Sequence, residues 1–91
     1  MTETTYKVIG FGNNEHGFFN QLSHTSSPGY AYGFYQAHIA DCEMTGAVII
    51  KVQHESWEVI EEFGTENVSV VAGPWLDYKV VPAEKLEMVG V

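Results

Sequence analysis

The chain has 91 residues, of which 45% are hydrophobic and 13% are aromatic. This length predicts a single domain, residues 1–91, and the apolar content excludes a disordered chain. Twelve acidic residues stand against four lysines and no arginine, a formal net charge of -8, which argues against direct binding to nucleic acids or anionic membranes, because phosphates attract cations.

Local features of the sequence exclude further classes of protein. The apolar runs are shorter than the roughly 20 residues that a membrane-spanning helix needs, and residues 1–7 lack the basic and apolar regions of a signal peptide. Cys42 is the only cysteine, which excludes an internal disulfide and a zinc site built from several cysteines. We therefore expect a cytoplasmic protein, located in the host cell if the chain is viral.

The first third of the chain predicts one strand and two irregular segments. Residues 4–11 alternate between apolar and polar side chains well enough for a strand. The glycines and asparagines of residues 12–17 predict a turn rather than a phosphate-binding loop, because no lysine or helix start follows them. Residues 18–22 fit a short helical turn, and the polar residues 24–29 fit a loop.

The middle of the chain combines an ambiguous segment with the clearest strand. Residues 30–35 are compatible with a strand, whereas residues 34–44 are more typical of a helix that ends near Gly46, where glycine suits a left-handed cap. Residues 47–52, AVIIKV, are apolar on both faces. We therefore expect a central strand that is covered on both sides.

Residues 54–64, HESWEVIEEFG, contain four glutamates and no lysine or arginine. On a helical wheel of about 100° per residue the apolar and acidic side chains separate onto opposite sides. The apolar side carries Trp57, Val59, Ile60 and Phe63. This separation predicts a short amphipathic helix that ends at Gly64.

The last third of the chain predicts strands. Residues 67–72 and 77–81 fit two strands separated by a turn at Gly73-Pro74, and residues 86–89 fit a short edge strand. The elements together predict an α+β fold, with a small, mostly antiparallel sheet of about four to five strands and one or two short helices. The alternative is a small β-barrel with one helix.

The acidic residues are concentrated in the second half of the chain, where residues 41–91 carry a net charge of -7. Like charges three and four residues apart on a helix repel by a few tenths of a kcal/mol, and a basic partner would relieve this repulsion. We therefore predict a non-enzymatic protein whose acidic surface binds a basic protein. The acidic residues predicted to bind this partner are Glu55, Glu58, Glu61, Glu62 and Glu66.

One concrete version of this hypothesis is an inhibitor that mimics the charge of a nucleic acid. It would present carboxylates to a nucleic-acid-binding protein at the positions that phosphates normally occupy, by physical analogy with small anti-defence proteins of phages. The competing interpretation is that residues 55–62 form the solvated side of an ordinary helix.

The aromatic residues Tyr30, Tyr32, Phe34 and Tyr35 support a second hypothesis. They either belong to the core or form an interface, because tyrosine combines a large apolar ring with a polar tip. The interface interpretation predicts a structural or assembly subunit, such as a virion accessory protein, that forms homo-oligomers. Tyr30, Tyr32 and Tyr35 are its predicted contact residues.

A third hypothesis is a small metal-binding protein or an enzyme that uses His38 and Cys42. These residues are four positions apart and would share one face of a helix. Zinc, however, requires three or four protein ligands, and no spacing in the sequence supplies the others. A buried thiol beside a partly buried histidine is the favoured interpretation, so we expect no metal and no cofactor.

Overall fold

The computed structural model of the chain describes residues 3–72 and 78–83. These residues form six strands and one helix. In chain order they are β1 (Thr5–Asn14), β2 (Gly17–Thr25), α1 (Pro28–Ala40), β3 (Gly46–Gln53), β4 (Ser56–Phe63), β5 (Val68–Ala72) and β6 (Tyr78–Pro82).

The strands form two antiparallel sheets. Four strands make the larger sheet in the order β2-β1-β3-β4, and β5 pairs with β6 in a two-stranded sheet. Helix α1 packs on one face of the larger sheet, and the β5–β6 hairpin packs on the other. The predicted α+β class is confirmed, and both sheets are open, unlike the barrel that was the alternative.

The larger sheet separates two apolar clusters. Successive side chains of a strand point to opposite faces, so Val8 of β1 packs under the helix while Ile9 packs under the hairpin. Ala47 and Val48 of β3 divide in the same way. The prediction that residues 47–52 form a central strand with both faces covered is therefore confirmed.

Helix α1 begins earlier than the sequence pattern indicated. Ser27 is its N-cap, and its Oγ accepts a hydrogen bond of 3.3 Å from the N–H of Tyr30, while Pro28 occupies the first turn, where its missing N–H costs nothing. The helix ends at Ala40. The predicted helix over residues 34–44 is thus displaced toward the C-terminus, and the strand considered for residues 30–35 is wrong. No helix within the described ranges is long and apolar enough to cross a membrane.

Strands β1 and β2 form a hairpin with a tighter turn than predicted. Strand β1 extends to Asn14, whose Oδ1 accepts a 2.8 Å hydrogen bond from the N–H of His16, and β2 resumes at Gly17. Residues 18–22 belong to β2, so the predicted helical turn is wrong. Their pairing with β1 overrides the weak helical pattern.

Residues 54–64 do not form the predicted amphipathic helix. They contain strand β4, which forms a hairpin with β3 through His54-Glu55. The pairing of β3 with β4 shifts by one residue at Ile49/Ile50, which leaves Ile60 as the extra residue of a bulge. Trp57 and Val59 therefore face the hairpin and Ile60 and Phe63 face the helix, so the apolar side chains that a helical wheel groups on one side lie on opposite faces of the strand.

The two strands predicted near the C-terminus are confirmed as β5 and β6. The turn between β4 and β5 contains Gly64, whose φ of 70° lies in the left-handed region that favours glycine. The predicted turn at Gly73-Pro74 and the predicted strand over residues 86–89 lie outside the described residues.

The side chain of Asn20 in β2 attaches the β5–β6 hairpin to the larger sheet. Its Oδ1 accepts a 2.7 Å hydrogen bond from the N–H of Val80, and its Nδ2 donates a 2.9 Å hydrogen bond to the carbonyl oxygen of Val80. One amide side chain thus satisfies both backbone polar groups of a residue that is buried in the core. Unpaired, these groups would each carry a desolvation penalty.

We predict that Asn20→Ala lowers the free energy of unfolding by about 1–3 kcal/mol, because it leaves the backbone groups of Val80 without partners. Urea denaturation of the variant measures this change. The matched control is Gln21→Ala, an exposed neighbour in the same strand, which should cost less than about 0.5 kcal/mol. Equal effects of the two substitutions would contradict the role assigned to Asn20.

Candidate functional site

Strand β4 is the most exposed strand of the larger sheet. Seven of its eight residues are exposed, whereas the first five residues of the neighbouring β3 are all buried. The exposed residues of β4 include three large apolar side chains, Trp57, Ile60 and Phe63, which are 40%, 42% and 50% exposed. Exposed apolar side chains on both faces of one strand are typical of an interaction site.

Within residues 3–72 and 78–83, the outer edge of β4 is open. Strand β4 lies at the end of the four-stranded sheet and pairs only with β3 among the described residues. At a sheet edge, about half of a strand's backbone N–H and C=O groups point away from its neighbour and can pair with another chain. This edge therefore offers backbone hydrogen bonds as well as side chains.

On the helix side of the sheet, β4 borders a groove of about 180 Å³. Ile60 and Glu61 form its wall on the strand, and Tyr32 and Pro28 form its wall on the helix. Phe63 lies on the same side of the sheet, because its register partner Ala47 packs under α1. Helix α1 packs against β1, β2 and β3, and Ile60, Glu61 and Phe63 on this face of β4 remain exposed among the described residues. We call this the helix-side groove.

On the opposite side, β4 borders a second groove of about 400 Å³. Trp57, Val59 and Glu62 of β4 line it together with Thr65 of the β4–β5 turn. The remaining lining residues belong to β5, namely Val68, Ser69 and Val70. The Trp57 ring meets Tyr78 edge-on with ring centroids 5.5 Å apart, and Thr65 Oγ1 donates a 3.1 Å hydrogen bond to Glu62. We call this the hairpin-side groove.

All five predicted acidic contact residues are exposed and lie on β4 or beside it. Glu58 and Glu61 lie on the helix side, because their register partners are Lys51 and Ile49. Glu62 lies on the hairpin side, and Glu55 and Glu66 occupy the turns before and after the strand. The glutamates therefore surround a strand on both faces instead of forming one side of a helix.

The electrostatic environment of β4 is negative but not free of cations. Lys51 of β3 lies directly across from Glu58 in the strand register, although the two side chains form no ion pair within 4.0 Å. His54 Nε2 is 3.8 Å from Glu55 at an exposed turn. On the helix side, burial raises the pKa of Tyr35 above its ordinary value, and the negative charge of Glu61 adds to this effect. The negative electrostatic potential of β4 thus reaches a side chain of the helix.

The predicted aromatic contact residues do not form one patch. Tyr35 packs in the core and is only 5% exposed, whereas Tyr32 is 46% exposed and Tyr30 is 72% exposed. Tyr32 contacts Tyr35 with ring centroids 5.8 Å apart and faces β4 across the helix-side groove. Tyr30 and Phe34, four residues apart, project from the opposite flank of the helix. Only Tyr32 belongs to the surface around β4.

His38 and Cys42 do not share a face. The helix ends at Ala40, so Cys42 lies beyond it and is exposed, and the predicted buried thiol is wrong. His38 is buried against β1, where a side chain at Gly10 would have its Cβ only 2.5 Å from the imidazole Nδ1. Residues 3–72 and 78–83 contain no group of three or more His, Cys, Asp or Glu side chains arranged to hold a metal ion.

No protein-family model, curated protein or solved structure matches the chain.

Burial gives His38 a testable effect on stability. Burial lowers the pKa of His38 below its ordinary value of 6.5, and Asp41 partly opposes this shift. The imidazole of His38 therefore binds a proton more readily in the unfolded state than in the folded state. Its contribution to the free energy of unfolding is present above about pH 6.5, and it is lost as the pH falls from 6.5 through the lowered pKa of the folded state.

We predict that the free energy of unfolding falls less between pH 7.5 and pH 5 in the His38→Gln variant than in the unmodified protein. Urea denaturation at the two pH values measures this difference. NMR titration of the His38 imidazole in the unmodified protein checks the same claim if the variant does not fold. A midpoint at or above 6.5 would contradict the burial argument.

Proposed function

We propose that the protein is a non-enzymatic binding protein and that the surface around β4 engages a basic protein partner. The observation that carries this proposal is the composition of β4, an open edge strand with seven exposed residues, of which three are large and apolar and three are glutamates. A strand that served only to complete the sheet would bury one of its faces.

The glutamates supply the charge for this interaction. Glu58, Glu61 and Glu62 form no ion pair within 4.0 Å with any described residue, so their carboxylates are available to lysines or arginines of a partner. Complementary charge at an interface mainly accelerates association and discriminates between partners. We therefore expect binding to weaken as the salt concentration rises.

The apolar residues supply the area that must be buried for a stable complex. Trp57, Ile60, Phe63 and Tyr32 are each between 40% and 50% exposed, so each has surface left to bury in a complex. Tryptophan and tyrosine are enriched among the residues that dominate binding energy, and charged residues typically form a rim around them. The glutamates and apolar residues of β4 match this arrangement.

An inhibitor that mimics a nucleic acid is one form of this function. The carboxylates around β4 would then contact the cations with which a nucleic-acid-binding protein holds phosphates. Small anti-defence proteins of phages act in this physical way, and the net charge of -8 fits such a role.

The assembly hypothesis has weaker support from the arrangement of the aromatic residues. Tyr35 is in the core, and the exposed residues Tyr30 and Tyr32 lie on different flanks of α1. A shared contact surface for a second subunit would need them on the same flank.

We predict that the triple substitution Glu58→Gln/Glu61→Gln/Glu62→Gln weakens binding to a peptide of twenty lysines by about tenfold at low salt. Each neutralised contact should cost up to about 1 kcal/mol. Isothermal titration calorimetry measures the affinity. The triple variant should remain folded, because it removes repulsion between neighbouring carboxylates.

The matched control is Glu3→Gln/Glu15→Gln/Glu43→Gln, which changes the net charge equally at exposed positions away from β4. We expect this variant to lose less than about threefold in affinity, since distant exposed charges are screened. Equal losses for the two triple variants would show that only the net charge matters and would refute a binding surface at β4.

A further inference from the structure

We infer that the partner presents an extended basic segment that pairs with the free edge of β4 as an additional strand. This inference rests on the proposed function and specifies how the partner is held. It requires an open backbone edge, room for side chains on both sides of that edge, and charge that favours a basic segment over other occupants.

The backbone edge is the first of these requirements. Strand β4 is eight residues long and ends the sheet, so its outward N–H and C=O groups can form a ladder with an added strand. In strand addition, main-chain hydrogen bonds give affinity, and pockets for alternate side chains give specificity. The bulge at Ile60 interrupts the regular edge, which disfavours indiscriminate pairing and leaves selectivity to the side chains.

The two grooves are the second requirement. They lie on opposite faces of the sheet and both border β4. Because side chains alternate between faces along a strand, an added strand would direct every second side chain toward the helix-side groove and the others toward the hairpin-side groove. A free edge between two grooves therefore fits an extended segment better than it fits a helix, which presents one face.

The charge around the edge is the third requirement. A lysine or arginine on the helix side would lay its apolar stem along Ile60 and Phe63 and bring its cation to Glu58 or Glu61. On the hairpin side, Trp57 offers an apolar surface beside the carboxylate of Glu62. A segment that combines basic with β-branched or aromatic side chains matches both faces.

A second copy of the chain would bring the three β4 glutamates of each copy together at this edge. An antiparallel pairing of two β4 strands centred on Ile60 places Glu58 of each copy opposite Glu62 of the other. Moving the centre to between Val59 and Ile60 places Glu58 opposite Glu61. Like charges directly opposite one another are destabilising. Residues 84–91 of the same chain fit no better in charge, because they carry Glu84 and Glu87 against Lys85.

The test uses three capped eight-residue peptides of alternating lysine and valine, and it measures their affinity for the full chain by calorimetry at low salt. The first is unmodified, the second is N-methylated at the valines, and the third is N-methylated at every residue. The backbone N–H groups of alternate residues point to opposite edges of a strand. The second peptide therefore keeps one edge able to pair, and the third keeps neither.

We expect the first two peptides to bind with similar affinity and the fully methylated peptide to bind at least about tenfold more weakly, because it cannot donate backbone hydrogen bonds. All three carry the same charge and side chains. If all three bind equally and the β4 triple variant weakens them equally, strand addition is overturned while the acidic binding surface stands.

Two further results would overturn the inference. The first is failure of every peptide to bind. The proposed function then survives only if the peptide of twenty lysines still distinguishes the β4 variant from its matched control. The second is a dimer, shown by light scattering of the free protein, in which the β4 edge is already paired. The strand that occupies the β4 edge would then belong to a second copy of the chain.

Discussion

The width of the four-stranded sheet, compared with the width of the elements that cover it, determines which residues are free to interact. A helix is about 10 Å across and strands are spaced about 4.8 Å apart, so one helix covers roughly two strands. The two central strands, β1 and β3, are accordingly buried on both faces, and the edge strands β2 and β4 are not. On the hairpin side, Asn20 ties β2 to the backbone of Val80. Strand β4 has no comparable attachment in the described part of the chain.

This uneven coverage gives the glutamates of β4 two physical effects. Exposed edge strands with apolar side chains tend to pair with one another, and charged residues on the edge oppose this. Glu58, Glu61 and Glu62 thus oppose pairing between copies of the chain. In the function proposed above, the same charges would favour a basic strand, so one feature would both oppose self-association and select the partner. Both effects depend on β4 being a strand, because only then do the glutamates lie on both sides of an open backbone edge.

The sequence predicted the fold class and the best-buried elements but not the structure of the candidate site. Residues 47–52 were predictable because a strand buried on both faces is continuously apolar. Residues 54–64 were misread because the bulge at Ile60 interrupts the alternation of a strand, so Trp57 and Val59 face the hairpin whereas Ile60 and Phe63 face the helix. A better signal was available, since two polar residues, His54-Glu55, separate two segments rich in β-forming residues. The start of α1 was signalled by Ser27-Pro28, but aromatic side chains occupy the exposed sides of the helix as well as its buried face, so apolar residues show no helical periodicity in the sequence. The glutamates were identified as contact residues from their charge, but their arrangement on both faces of a strand was not predicted.

The central claim is that β4 is a strand with one free edge, and amide hydrogen exchange of the uncomplexed protein, followed by NMR, tests it most directly. On each side of the bulge at Ile60, amides that bond to β3 should exchange slowly, and the alternate amides that point outward should exchange rapidly. The Cα chemical shifts of residues 56–63 should be those of extended backbone. Helical shifts across these residues, or slow exchange at the outward amides as well, would contradict the claim.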